Sequence, residues 1–209
     1  QLAHFNDHNS AIPLPEAVTQ TKHGRGRVDI MHYHMSVFGQ YEGTWNEAED
    51  YYRRIMRDSE RVNFISVVRE PRNHLLSYYY YFLQPKTKQP IGAFLQQLGD
   101  DTAHSNLFNP LSAEFGVRAR ADIENLIADV LPHFKLIILT EEFDEGMMVL
   151  RRLLGWSMID MTYSSMYKTK KGATRFDGKK LVDVPHFDDL PQQTRDLIDD
   201  MTQLDQMLY

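Results

Sequence analysis

No cysteine occurs in the 209 residues, which removes disulfide frameworks, thiolate nucleophiles and cysteine-based zinc sites. Long apolar runs are missing as well: none approaches the roughly 20 residues that a membrane-spanning helix needs. There is no excess of positive charge. The formal net charge of −6 argues against a chain whose main task is to grip nucleic acid or a heavily sulfated polymer, since such proteins carry a basic surface. A neutral partner fits better. The Gly-x-x-x-x-Gly-Lys-Ser/Thr loop and the His-Glu-x-x-His helix are both absent. No Asn-x-Ser/Thr acceptor occurs, which decides nothing about a secretory route. The chain opens at Gln1 without methionine or a charged-then-apolar leader, so it reads as a piece cut from something longer.

What is present is ordinary globular material. With 42% hydrophobic and 25% charged residues, positions 1–209 are expected to form a single domain able to bury a core. Short apolar runs alternate with helical patterns and no internal repeat intervenes, which predicts an α/β architecture, a parallel sheet flanked by helices. Val28–His34 reads as a strand. Thr44-Trp45-Asn46-Glu47 has capping-box form and predicts a helix to about Asp58 with Tyr51, Tyr52 and Ile55 inward. Val62–Val68 is β-branched and apolar, as in a buried parallel strand. Pro71 suits the first turn of a helix over Arg72–Leu83. Further helices are predicted over Ile91–Leu98, about Arg118–Leu131 and Glu145–Trp156, with a strand at Lys135–Thr140 between the last two. A closing helix starts at Pro191, with Leu197, Ile198, Met201, Leu204 and Leu208 on one face.

The segment Arg69-Glu-Pro-Arg-Asn-His-Leu-Leu-Ser77 stands out. It places a guanidinium at the carboxyl end of a strand, where open α/β sheets bind ligands, and a hydroxyl two turns into the next helix. Arg69 can hold a phosphate through two parallel charge-assisted hydrogen bonds, and Ser77 can reach the same anion. Either residue alone has a plainer reading: a surface ion-pair partner for Arg69, a solvated helix position for Ser77.

With the tyrosine run that follows, Ser77-Tyr-Tyr-Tyr-Tyr-Phe82, this segment resembles the second nucleotide-binding motif of Golgi carbohydrate sulfotransferases. In that family arginine and serine hold the 3′-phosphate of 3′-phosphoadenosine 5′-phosphosulfate (PAPS). Leu2–Pro15, Leu139–Glu145 with Leu150–Trp156, and Leu204–Tyr209 are similar in order and spacing to the galactose 3-O-sulfotransferase and galactosylceramide sulfotransferase branch. The tyrosine-rich helix and the His-x-His pair look closer to uronyl 2-O-sulfotransferases. The resemblance implies a P-loop-type sulfotransferase fold, PAPS as sulfuryl donor, a sugar hydroxyl of a glycan or glycolipid as acceptor, and a membrane-anchored parent in the Golgi lumen.

Sulfuryl transfer to an alcohol needs a base, and His32 and His34 share one face of their predicted strand. His34 lies nearer the strand end, and His34-Met35 matches the family's catalytic position; His32 stays open as the alternative. A hydrogen-bonded core histidine is the plainer reading, and a metal site with His4 or His8 the other; no metal is expected. Lys168, Lys170, Lys171, Arg175, Lys179 and Lys180 crowd one loop. Such loops are usually just solvated; the resemblance implies that Arg175, or Lys171, contacts the nucleotide phosphates. The family's first motif, a strand and a Lys-Thr/Ser-rich phosphate loop, has no match here. A fold lacking that strand and loop is expected, with slow turnover by the stretch alone, because donors at the leaving oxygen normally contribute several kcal/mol.

Two other readings stand beside this one. A nucleotide- or glycan-binding domain that kept the fold without catalysis would bind the product nucleotide and transfer nothing. A kinase or nucleotide hydrolase lacks both its Walker lysine and its paired magnesium carboxylates here.

Overall fold

A computed structural model describes residues 2–5, 30–33, 49–50, 53, 60, 62–98, 107–161 and 183–209. In chain order the elements are β1 (Leu2–Phe5), β2 (Ile30–Tyr33), β3 (Phe64–Val68), α1 (Pro71–Tyr78), α2 (Gln84–Thr87) and α3 (Ile91–Leu98). There follow α4 (Pro110–Glu114), α5 (Asp122–Asn125), β4 (Phe134–Leu139), α6 (Phe143–Leu154), α7 (Gln192–Met201) and α8 (Gln203–Leu208). Among the described residues the strands form two two-stranded ladders: β1 runs parallel to β2, with His4 opposite His32, and β3 pairs with β4. The combination of helices with a parallel pair is compatible with the expected α/β class, and it is richer in helix than the alternating pattern implied. None of the described helices is long and apolar enough to cross a membrane.

The chain divides into two compact units, 1–64 with 113–135, and 65–112 with 136–209. In the first, Phe134 packs against Phe64 and Phe115 at ring-centroid separations of 6.3 and 5.6 Å. Glu49 accepts from Arg53 Nε at 2.8 Å and pairs with His133 at 2.7 Å. Glu49, Asp50 and Arg53 are helical, within the span that the capping box predicts; Thr44, Tyr51, Tyr52 and Ile55 lie outside the described residues.

The second unit is built around Leu75, Leu76, Tyr79, Ile91, Phe94, Leu95, Leu98, Leu107, Ile198 and Met201. Glu70 caps α1 and Pro71 occupies its first turn, so the chain turns directly from β3 into a helix whose inner face is Leu75, Leu76 and Tyr79. That helix does not stop at Leu83. It widens into a π turn over Tyr79–Leu83 and continues through α2 to a left-handed Lys88 (φ 56°). The Tyr79 hydroxyl, in a residue with no exposed surface, donates to the Gln89 carbonyl at 2.7 Å and ties down this extension.

Three expectations change. The β3 run is not uniformly buried: Val68 is, while Val67 is 48% exposed, because among the described strands β3 has one neighbour and one covered face. The predicted helix over 118–131 tightens and widens in turn, α5 giving way to a π segment at Leu126–Val130 and a 3₁₀ turn at Leu131–His133, where Pro132 ends regular helix. The closing helix breaks at Thr202, and its buried face is Thr194, Ile198, Met201, Thr202 and Asp205, with Leu197, Leu204 and Leu208 half-buried.

In α6, Asp144 and Glu145 occupy the first turn and Arg151 and Arg152 the last, matching the helix dipole at both ends. A Cβ at Gly146 would collide with the Cγ2 of Ile138, a buried residue of β4. Alanine would gain about 1 kcal/mol in helix propensity, against about 1–3 kcal/mol for overpacking. Gly146→Ala is therefore expected to lower the urea midpoint. Adding Ile138→Ala should cost less than the two single losses summed; full additivity would place Gly146 away from that contact.

Candidate functional site

Arg69 follows the last residue of β3 and Ser77 lies in the last turn of α1, both half-buried and both in the second unit. Between them the turn is saturated by carboxylates. Glu70 accepts from the Arg72 N–H at 3.2 Å and from the Asn73 N–H at 2.8 Å, while its own N–H donates to Glu141 Oε1 at 3.2 Å. Pro71 has no N–H to offer. The His74 N–H donates to the Glu70 carbonyl at 2.9 Å. An anion arriving at this turn finds no free backbone donor in the first turn of α1, unlike one at a phosphate loop, and must be held by side chains.

Two side chains are suited to do so. Among the described residues no hydrogen bond engages the Arg69 guanidinium or the Ser77 hydroxyl. Arg72, the other arginine of the motif, is committed instead: its Nε donates to Asp199 at 2.6 Å and its Nη2 to Gln206 at 3.1 Å. The two arginines of the segment thus differ: Arg72 is held by protein partners, and Arg69 is not hydrogen-bonded among the described residues.

His74 is the residue that sequence reading passed over. It precedes Ser77 by three positions, so the two share a stripe of the helix surface. Burial, followed by the nearby charge of Arg69, lowers its pKa below the ordinary 6.5, and Asp205 pulls the other way. Arg69 thus acts electrostatically on the helix face that carries Ser77. The signal was available: a histidine one turn before the serine. What the sequence could not reveal was its burial.

The unfolded imidazole takes up a proton near pH 6.5, and the folded one resists until lower pH. Its contribution is complete above about pH 6.5 and declines as pH falls from there through the folded pKa. His74→Gln should therefore show a shallower drop in Tm between pH 7 and 5 than the unaltered protein. Equal slopes would mean that His74 does not titrate at a depressed pKa.

Of the other expected site residues, His32 lies in β2 at a position fixed by backbone register, while His34 and Arg175 fall outside the described residues, as does the lysine-rich loop. The described residues contain no group of three or more histidines and carboxylates arranged to hold a metal ion.

The family model for galactose-3-O-sulfotransferase matches residues 48–180, more than half of the chain. The chain belongs to that family. No curated protein and no solved structure matches. The matched span of this galactose-3-O-sulfotransferase family member includes Arg69, Ser77 and Arg175; His32 and His34 precede it, and α7 and α8 follow it. Membership supports a carbohydrate sulfotransferase, for which a sulfuryl donor of the PAPS type and a sugar-containing acceptor are implied.

Proposed function

We propose that this protein transfers the sulfuryl group of PAPS to a sugar hydroxyl of a glycan or glycolipid, the galactose 3-OH in particular. The observation that carries the reading is the strand-turn-helix at Arg69–Ser77, inside the family-matched span, where two side chains suited to an anion flank a turn whose backbone donors are already taken. In this reading Arg69 and Ser77 hold the 3′-phosphate, remote from the reacting sulfur, and Arg175 contacts the nucleotide from the basic loop. His34 takes the proton of the acceptor hydroxyl as its oxygen attacks sulfur. The new O–S bond forms as the bond from sulfur to the 5′-phosphate oxygen breaks, and that oxygen leaves with the electron pair in adenosine 3′,5′-bisphosphate. We place this activity in the Golgi lumen, at the membrane.

The test is transfer of labelled sulfate from PAPS to a terminal galactoside, alongside calorimetry with adenosine 3′,5′-bisphosphate. His34→Ala should lower kcat by about 10²-fold with nucleotide affinity unchanged. An unaltered rate would move the base to His32 or elsewhere. Nucleotide binding with no transfer to any galactoside, even with a Lys-Thr/Ser-rich phosphate loop supplied upstream, would favour a binding domain of the same fold, and no nucleotide binding at all would sink the proposal.

A further inference from the structure

The helix that carries Ser77 is gripped from the end of the chain, through Arg72. Its guanidinium carbon stands 4.7 Å from the centroid of the Phe187 ring, in addition to the 2.6 Å bond to Asp199 and the 3.1 Å bond to Gln206. Gln206 is itself fixed, since its Nε2 donates to Thr202 Oγ1 at 2.7 Å and to Asp199 Oδ1 at 3.3 Å. One planar cation is thus bound through two of its nitrogens and set over an aromatic ring by three separate segments: the turn Phe187–Asp189, α7 and α8.

A half-exposed ion pair on its own contributes little to stability, because solvent screens it and side-chain entropy opposes it. Arg72 differs in being fixed in orientation, which a fork of donors and a stacked face achieve and a lysine cannot. Orientation matters because Ser77 is reached by rotating the helix. A side-chain oxygen about 5 Å from the helix axis shifts about 1 Å for a rotation of about 10°. A shift of that size breaks a hydrogen bond to an anion.

We propose that Arg72 is a positioning residue: held by Phe187, Asp199 and Gln206, it sets the rotation of α1 and so aims Ser77 at the anion held by Arg69, without itself binding phosphate. The inference rests on the nucleotide reading of Arg69 and Ser77. It makes residues 183–209, beyond the matched span, a working part of the site.

The experiment is calorimetry of the full chain with adenosine 3′,5′-bisphosphate, well below Tm, with folding checked by circular dichroism. Asp199→Asn and Gln206→Met should each weaken binding roughly fivefold. Arg72→Lys should fail to restore affinity, and Arg72→Gln combined with Asp199→Asn should be no worse than Arg72→Gln alone. If Arg72 instead bound phosphate, Asp199→Asn would free it and binding would tighten or stay unchanged; either result overturns the proposal. Should Arg72→Gln fail to fold, the Asp199 and Gln206 variants decide. If the unaltered protein binds no nucleotide, the nucleotide reading falls by itself, and amide exchange then tests the grip: Asp199→Asn must speed exchange at Leu75–Tyr78, and unchanged exchange overturns it.

Discussion

Replacing Arg69 with alanine is expected to weaken the binding of adenosine 3′,5′-bisphosphate by about 10³-fold. A hydrogen bond to a charged group contributes about 1.5–3 kcal/mol, and a guanidinium can make two to one phosphate. Their joint loss is about 4 kcal/mol, which corresponds to about three decades in Kd. Protein partners leave room for this: the first-turn backbone donors are taken by Glu70, and Arg72 is taken by Asp199 and Gln206. No neighbour in that turn is positioned to replace the lost guanidinium. Arg69→Lys keeps the charge without the fork and should recover part of the affinity. Ser77→Ala, which removes one uncharged donor, should cost about tenfold. The plainer reading of Arg69 as a surface ion-pair partner predicts a change within about twofold, and that result would remove the anion site altogether. A second readout is independent of ligand. Because the charge of Arg69 helps to depress the His74 pKa, Arg69→Ala should move the His74 titration upward in the free protein.

The parts of this arrangement that were legible in the sequence are the ones made by neighbours in the chain. Pro71 and Glu70 start α1 through local geometry, and of Leu75, Leu76, Tyr79 and Phe82, which recur at helical spacing, the first three are buried while Phe82, in the π turn, is exposed. Ile91–Leu98 is amphipathic, and its predicted bounds are the observed ones. The carboxyl-end position of Arg69 follows from the strand that precedes it. The rest depends on partners far along the chain. Arg72 meets Asp199 across 127 positions, a pairing that no local pattern announces. The burial of His74 is set by what packs over α1 and not by its place in the motif. The short helix α4 has too few residues to show a period, and it exists because a carboxylate 93 positions away holds its first turn. The same carboxylate accounts for the error in the closing helix: the apolar stripe through Leu204 and Leu208 looked like the inner face, yet Asp205 is the residue turned inward.

Asp205→Ala is expected to remove a large share of the protein's stability. Asp205 has no exposed surface, and its carboxylate accepts from the N–H groups of Leu111 and Ser112 at 3.1 and 2.7 Å. Those two donors lie in the first turn of α4. The tie is reciprocal: Asn109, at φ 44°, turns its side-chain oxygen to the N–H groups of Leu204 and Asp205 at 2.8 and 3.2 Å, and its own N–H donates to the Met201 carbonyl at 2.8 Å. Each helix start is thus capped by a residue from the other segment, so the break at Thr202 is built into the fold and is not a fraying end. Removing the carboxylate leaves two buried N–H groups unpaired, at about 1–3 kcal/mol each, and a net loss of about 4 kcal/mol is a large share of the 5–15 kcal/mol typical of a folded domain. Asp205→Asn keeps one acceptor oxygen and should lose about half as much. Asp200→Ala, on the exposed side of α7, should stay within about 0.5 kcal/mol. Urea denaturation decides among these. If Asp205→Ala melted like Asp200→Ala, the reciprocal caps would not be what joins the last helix to the segment at 109–112.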